Sequence, residues 1–143
     1  MKKLFRSSQR GQTLVEFALI IPIFLLLAVV IFDLGRGVYY YSAIHNAARE
    51  GARYGIIHPD DIAGMENTAI DYAIGLGLTA TDVTAGLGTP ENVGGFANPT
   101  VKVTVTYAFT PATPFVSNFI PCGCPNISLT SDAIMRTEAL PTP

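Results

Sequence analysis

Residues 10–32 read RGQTLVEFALIIPIFLLLAVVIF, and the fold follows from how this stretch is housed. Lys2, Lys3, Arg6 and Arg10 lie at or before its start, no residue from Phe17 to Phe32 is charged, and Pro22 is the only helix breaker. As a surface helix the run would be insoluble, and a chain of 143 residues has too small a core to hide it. It therefore belongs in a membrane. One acid, Glu16, stands near its start.

The flanking charge sets an expected orientation. The first eleven residues carry four basic side chains and no acid, whereas the rest carries five basic against eleven acidic ones. Basic residues before a hydrophobic span stay on the cytoplasmic side, so the chain beyond Asp33 is expected to face outward. That outward part has no basic stripe to neutralise phosphates, which argues against a nucleic-acid partner. A secretory signal would place small residues at Ala-x-Ala spacing after the apolar run. The run instead meets Asp33-Leu34-Gly35-Arg36-Gly37, so retention of the segment is expected, with membrane lipid as its surroundings.

Helical spacing continues past the membrane. Val38, Tyr41, Ile44, Ala48 and Ala52 recur at intervals of three and four, while His45, Asn46, Arg49, Glu50 and Arg53 fall on the other side. A helix from about Thr13 to Ile57 would be roughly 65 to 70 Å long, about twice the hydrocarbon thickness. Two weak points are expected in it, a kink at Pro22 and loosening at Gly35 and Gly37. Pro59 closes it. Tyr39, Tyr40 and Tyr41 suit an aromatic belt at the outer surface, above a local ion pair between Asp33 and Arg36.

Beyond Pro59 the reading is of a small head. Asp60 or Asp61 can cap a second helix from Ile62 to about Ile74, with Met65, Ala69, Ile70, Ala73 and Ile74 buried, Glu66 favourably placed for the dipole, and Gly75 or Gly77 ending it. Residues 78–99, rich in Gly, Thr, Asn and Pro, read mostly as loop with one short strand near Thr81 to Ala85. Val101, Val103, Val105, Tyr107 and Phe109 then alternate with mainly polar residues, the pattern of a half-buried strand. A second strand, Ile127 to about Thr137, returns beside it. The fold expected is α+β: a flexible leader at 1–11, a transmembrane and stalk helix at 12–58, and a head at 59–143 built on a mainly antiparallel sheet of three or four short strands.

The chemistry gathers at the membrane entry. A short basic leader, Gly11, then Glu16 as the fifth residue after it, then an apolar helix, together make up a prepilin-like processing signal. Glycine lets a protease approach the backbone closely, and cleavage after Gly11 leaves an ammonium on Gln12. A carboxylate one turn further on can pair with such an ammonium in hydrocarbon, where neither tolerates isolation. Between neighbouring subunits that pair would fix axial register. The plainer alternative is that Glu16 lies at the headgroup boundary, where a carboxylate costs little.

With these residues the chain resembles the TadE-like family of pseudopilins, minor subunits of tight-adherence (Flp, type IVb) pilus systems. The resemblance rests on Arg10-Gly11-Gln12-Thr13-Leu14-Val15-Glu16-Phe17-Ala18-Leu19-Ile20-Ile21-Pro22 and on Ala47-Ala48-Arg49-Glu50-Gly51-Ala52-Arg53-Tyr54-Gly55, with thinner support from Ile134-Met135-Arg136-Thr137-Glu138. It implies cleavage at Gly11 by a prepilin peptidase, Gln12 as the mature N-terminus and Glu16 as the assembly carboxylate. It further implies insertion in the inner (cytoplasmic) membrane, assembly with other pilins or pseudopilins and a pilus assembly platform, and no cofactor. The size of the head favours a minor or tip subunit over a major pilin.

Other candidates are weaker. In 49–53, Ala48, Gly51, Ala52 and Gly55 read first as small residues that let another element close in, with Arg49 and Arg53 one turn apart on a solvated side. The sharper reading puts Arg49 or Arg53 in an intersubunit ion pair. Cys122 and Cys124, separated by Gly123, fit either a strained local disulfide or two thiols, and a metal site there would need ligands that His45 and His58 are not near enough in sequence to supply. No nucleophile elbow, phosphate loop or calcium loop is present as a motif, so the chain reads as a processing substrate and not an enzyme. The competing reading is a membrane-tethered extracytoplasmic binding module, or an accessory protein of a secretion machine.

Overall fold

The structure is a computed structural model describing residues 8–113 and 126–137. Its first element, α1, runs from Ser8 to Ile57, 50 residues, which is about 75 Å of helix. It begins within the stretch expected to be a flexible leader, so Ser8 to Gly11 form its first turn. It also continues across Pro22, Gly35 and Gly37 as one element. Proline removes a single backbone bond, and the long apolar flanks supply enough helical hydrogen bonds to carry the helix past it.

Helix α2 (Ile62–Tyr72) is capped by Asp61, whose Oδ1 accepts from the Gly64 N–H at 2.9 Å. It ends as the Ala73 N–H turns back to the carbonyls of Ala69 and Ile70, and Gly75, at φ +82°, then takes the left-handed conformation that redirects the chain. Met65, Ala69 and Ala73 are buried as expected, but Ile74 lies beyond the helix end and is exposed. With the helix finished at Tyr72, the three-and-four spacing no longer governs where Ile74 points.

The sheet has three strands in the order β1-β4-β5: β1 (Val83–Leu87), β4 (Thr100–Phe109) and β5 (Ile127–Arg136). β4 lies in the centre, antiparallel to both neighbours, with Val83 opposite Val105, Val103 opposite Ala133 and Phe109 opposite Ile127. Between β1 and β4 sits a separate hairpin, β2 (Glu91–Val93) and β3 (Phe96–Asn98), in the region read as loop. Its turn is Gly94-Gly95, both at positive φ, as a two-residue hairpin loop requires. The architecture is thus α+β, a long apolar helix carrying a small antiparallel sheet.

One face of the sheet packs on the helices. Val101, Val103 and Val105 are fully buried, together with Ile44 of α1 and Met65 of α2. The alternation in β4 holds because each buried valine stabilises by about 1.5–3 kcal/mol, while Lys102 opposes Ile134 on the outer face and pairs with Asp132 at 3.3 Å. The strands lie along α1. Gly55 approaches Val101, Gly51 approaches Val103, and Tyr40 packs on Tyr107 and Phe109. β4 therefore runs back down the stalk towards the apolar part of the helix, and β5 climbs again beside it.

Candidate processing and assembly site

Gly11, Gln12 and Glu16 all lie on the first turns of α1 and are exposed. Glu16 follows Gln12 by four residues, one helical turn, so the two share a face about 6 Å apart along the axis. A Cβ at Gly11 would meet nothing within 4 Å among the described residues, so packing against them does not require glycine there. The same is true of Gly35 and Gly37.

The 49–55 region behaves differently. A Cβ on Gly51 would come 2.9 Å from the Met65 carbonyl oxygen and 3.0 Å from the Ala69 Cβ, and one on Gly55 would come 2.4 Å from the Met65 Sδ. With Ala48 and Ala52 fully buried, these positions form the seat on which α2 and β4 close against the stalk. This is the packing role read from the sequence. Arg53 makes a long contact with Glu50, 3.9 Å, on the open side of the helix, and Arg49 is exposed. Cys122 and Cys124 lie outside the described residues.

Asp33 does more than pair with Arg36. The ion pair is present at 3.5 Å, yet the Asp33 carboxylate is buried and also receives the Ala112 N–H at 3.0 Å, the Thr113 N–H at 2.8 Å and the Thr113 hydroxyl. It ties the stretch after β4 to the stalk. Tyr40 is likewise turned into the head, its ring 5.1 Å from that of Tyr107, while Tyr39 and Tyr41 stay exposed. The expected triple belt is therefore two residues and a packing residue. Asp33→Ala should free Ala112 and Thr113. Amide exchange there is expected to quicken on the order of tenfold or more while the β4 core amides keep their protection.

Three polar links, two of them between distant parts of the chain, had no signal in the sequence. His45 Nδ1 and Ser131 Oγ share a hydrogen bond of 3.0 Å between α1 and β5, Arg136 Nε meets Glu91 at 2.8 Å, and the Tyr54 hydroxyl donates to Asp61 at 2.8 Å. The Gly64 amide and Tyr54 hydroxyl hold the Asp61 carboxyl below its ordinary range, and Arg136 does the same for Glu91. A carboxyl whose folded pKa is depressed contributes stability above its unfolded pKa, about 4, and loses it as pH falls through the folded value. The Tm of the full chain in detergent should thus hold steady from neutral pH to about 5 and fall below 4, less steeply in Asp61→Asn, which keeps a cap but does not titrate.

Comparison with known protein families bears on α1. Residues 11–53 match the family of TadE-like proteins. No curated protein and no solved structure matches the chain. The TadE-like stretch opens at Gly11, contains Glu16 and ends at Arg53, so it takes in the entry motif and most of the small-residue seat. The similarity is confined to this stretch, and the head beyond it lies outside the match. By length and composition this helix is long and apolar enough to cross a membrane once.

Proposed function

We propose that the chain is a minor pilin or pseudopilin of a tight-adherence pilus, cut between Gly11 and Gln12 by a prepilin peptidase and drawn into the pilus or its priming complex. Its N-terminus lies in the cytoplasm, its helix crosses the inner membrane once, and its head is extracytoplasmic. The observation that carries this reading is the placement of Gly11 and Glu16, five residues apart, at the base of one uninterrupted apolar helix inside the TadE-like match.

The helix start suits cleavage. The first four N–H groups of any helix lack intrahelical partners, and glycine is a poor helix former, so the turn holding the Gly11–Gln12 bond opens at low cost for a protease that needs extended backbone. After cleavage the new ammonium on Gln12 and the Glu16 carboxylate are the polar groups at the foot of the span. In hydrocarbon each needs a partner, and the pair formed between adjoining subunits meets that need only in one axial register. Arg49 and Arg53, exposed on the stalk, are available for a second contact with acids of a neighbouring head.

Glu16→Ala tests the assembly role. The variant is expected to insert and be cleaved as the wild type is, but to lose most of its crosslinks to other pilus subunits, on the order of tenfold. Unchanged crosslinking would assign Glu16 to the headgroup boundary and leave the chain a tether.

A further inference from the structure

The apolar surface of α1 does not stop where the sequence places its first outward charge. Between Glu16 and Arg49 the only charged residues are Asp33 and Arg36; Asp33 is buried and satisfied within the fold, and Arg36 is half exposed with Asp33 as its partner. Each Asp33 oxygen is taken by the 112–113 backbone, the Thr113 hydroxyl or Arg36. The Arg36 guanidinium lies 5.7 Å from the Tyr40 ring centre and 5.6 Å from that of Phe109. Past them Leu34, Val38, Tyr39 and Tyr41 remain exposed. From Phe17 to Tyr41 the apolar face measures roughly 38 Å, against about 30 Å for hydrocarbon and 40–45 Å with the headgroup layers.

At the upper end of this face the described residues frame a groove of about 360 Å³. Val30, Leu34, Val38 and Tyr41 form its stalk wall, and Pro111, Ile127 and Leu129 belong to the wall contributed by the head. It begins at Val30, inside the uncharged run, and rises about 16 Å along the helix to Tyr41. Asp33 lines it too, but the carboxylate is spent on the contacts above. The groove is thus continuous with the lipid-facing surface of the span, and filling it with water would leave apolar walls wet at the edge of the bilayer.

We infer that an acyl chain of an outer-leaflet lipid occupies this groove, so that the lower end of the sheet, where β4 ends and β5 begins, is sunk into the outer leaflet and not held above it. The inference rests on membrane anchoring through α1 and is independent of the pilus reading. Tyr41 then marks the headgroup level, as interfacial tyrosines do, and the Asp33–Arg36 pair carries its carboxylate into the interfacial layer buried in protein, while the half-exposed Arg36 guanidinium is left to meet the headgroups.

The chain contains no tryptophan, which makes a single reporter unambiguous. Full-length Ile127→Trp, reconstituted at high dilution in phosphatidylcholine vesicles, is expected to lose about half of its emission when the lipid carries acyl-chain bromines, and to resist aqueous acrylamide. Val38→Trp, at a position 68% exposed where a larger side chain meets no packing, should behave alike and covers failure of the first variant to fold. Ile134→Trp, on the outer face of β5 far from the groove, should show the reverse. Quenching of the groove reporters by acrylamide, as at Ile134, would overturn the inference. Protection from both quenchers would overturn it equally, since protein would then fill the groove.

Discussion

Gly51→Val is expected to destabilise the head by about 2–4 kcal/mol, because the added Cβ alone meets the Met65 carbonyl oxygen at 2.9 Å, the Ala69 Cβ at 3.0 Å and the Val103 Cγ1 at 3.3 Å. Backbone cannot swing aside as a side-chain end can. Helix propensity works the other way, since leaving glycine gains at most about 1 kcal/mol in a helix interior. The clash therefore decides the sign. Small domains have only about 5–15 kcal/mol in total, so the full chain in detergent should melt roughly 10 °C or more below wild type. Gly35→Val is the control, since nothing lies within 4 Å of its Cβ, and its Tm should change little. An unchanged Tm in Gly51→Val would mean that α2 does not close on the stalk as described.

Gly11→Phe has the opposite character. Open space around Gly11 lets the fold accept the ring, so the head should melt as wild type does. The expected effect is on processing: a full-length, membrane-bound chain that fails to enter the assembly, with cleavage reduced on the order of a hundredfold as the ring blocks backbone approach. Gel mobility and fractionation check both halves. Normal assembly with the leader still attached would contradict the processing role of Gly11. The two glycines thus differ in their surroundings, one packed against protein and one with no neighbour within 4 Å of its Cβ among the described residues.

Much of the fold could be read from periodicity because burial imposes it. The alternation at Val101, Val103 and Val105 marked β4, the three-and-four spacing from Val38 to Ala52 carried α1 beyond its uncharged run, and Asp60 or Asp61 before Ile62 marked the start of α2. The β2–β3 hairpin escaped because three-residue strands are too short to show a period, although Gly94-Gly95 is a turn signal in plain view. Ile74 was misplaced because a helix can end before its apolar pattern does.

At the candidate site, the placement of Gly11 and Glu16 on the first turns of one helix was readable because it follows from spacing alone. The role of Asp33 was not, because its partners Ala112 and Thr113 are 79 and 80 residues away and offer mostly backbone. Separation along the chain, 86 and 45 residues, also hid His45 with Ser131 and Arg136 with Glu91. Tyr40 looked like its exposed neighbours until β4 was laid against it. Contacts between side chains far apart in the chain leave no periodic trace, and these are what seat the head at the bilayer end of its stalk.

Mass spectrometry of the N-terminus of the chain recovered from native membranes tests the central claim most directly. The account predicts a mature protein that begins at Gln12, with the Gly11–Gln12 bond cut and a free amine one turn from Glu16. A recovered chain that still begins at Met1 would contradict it.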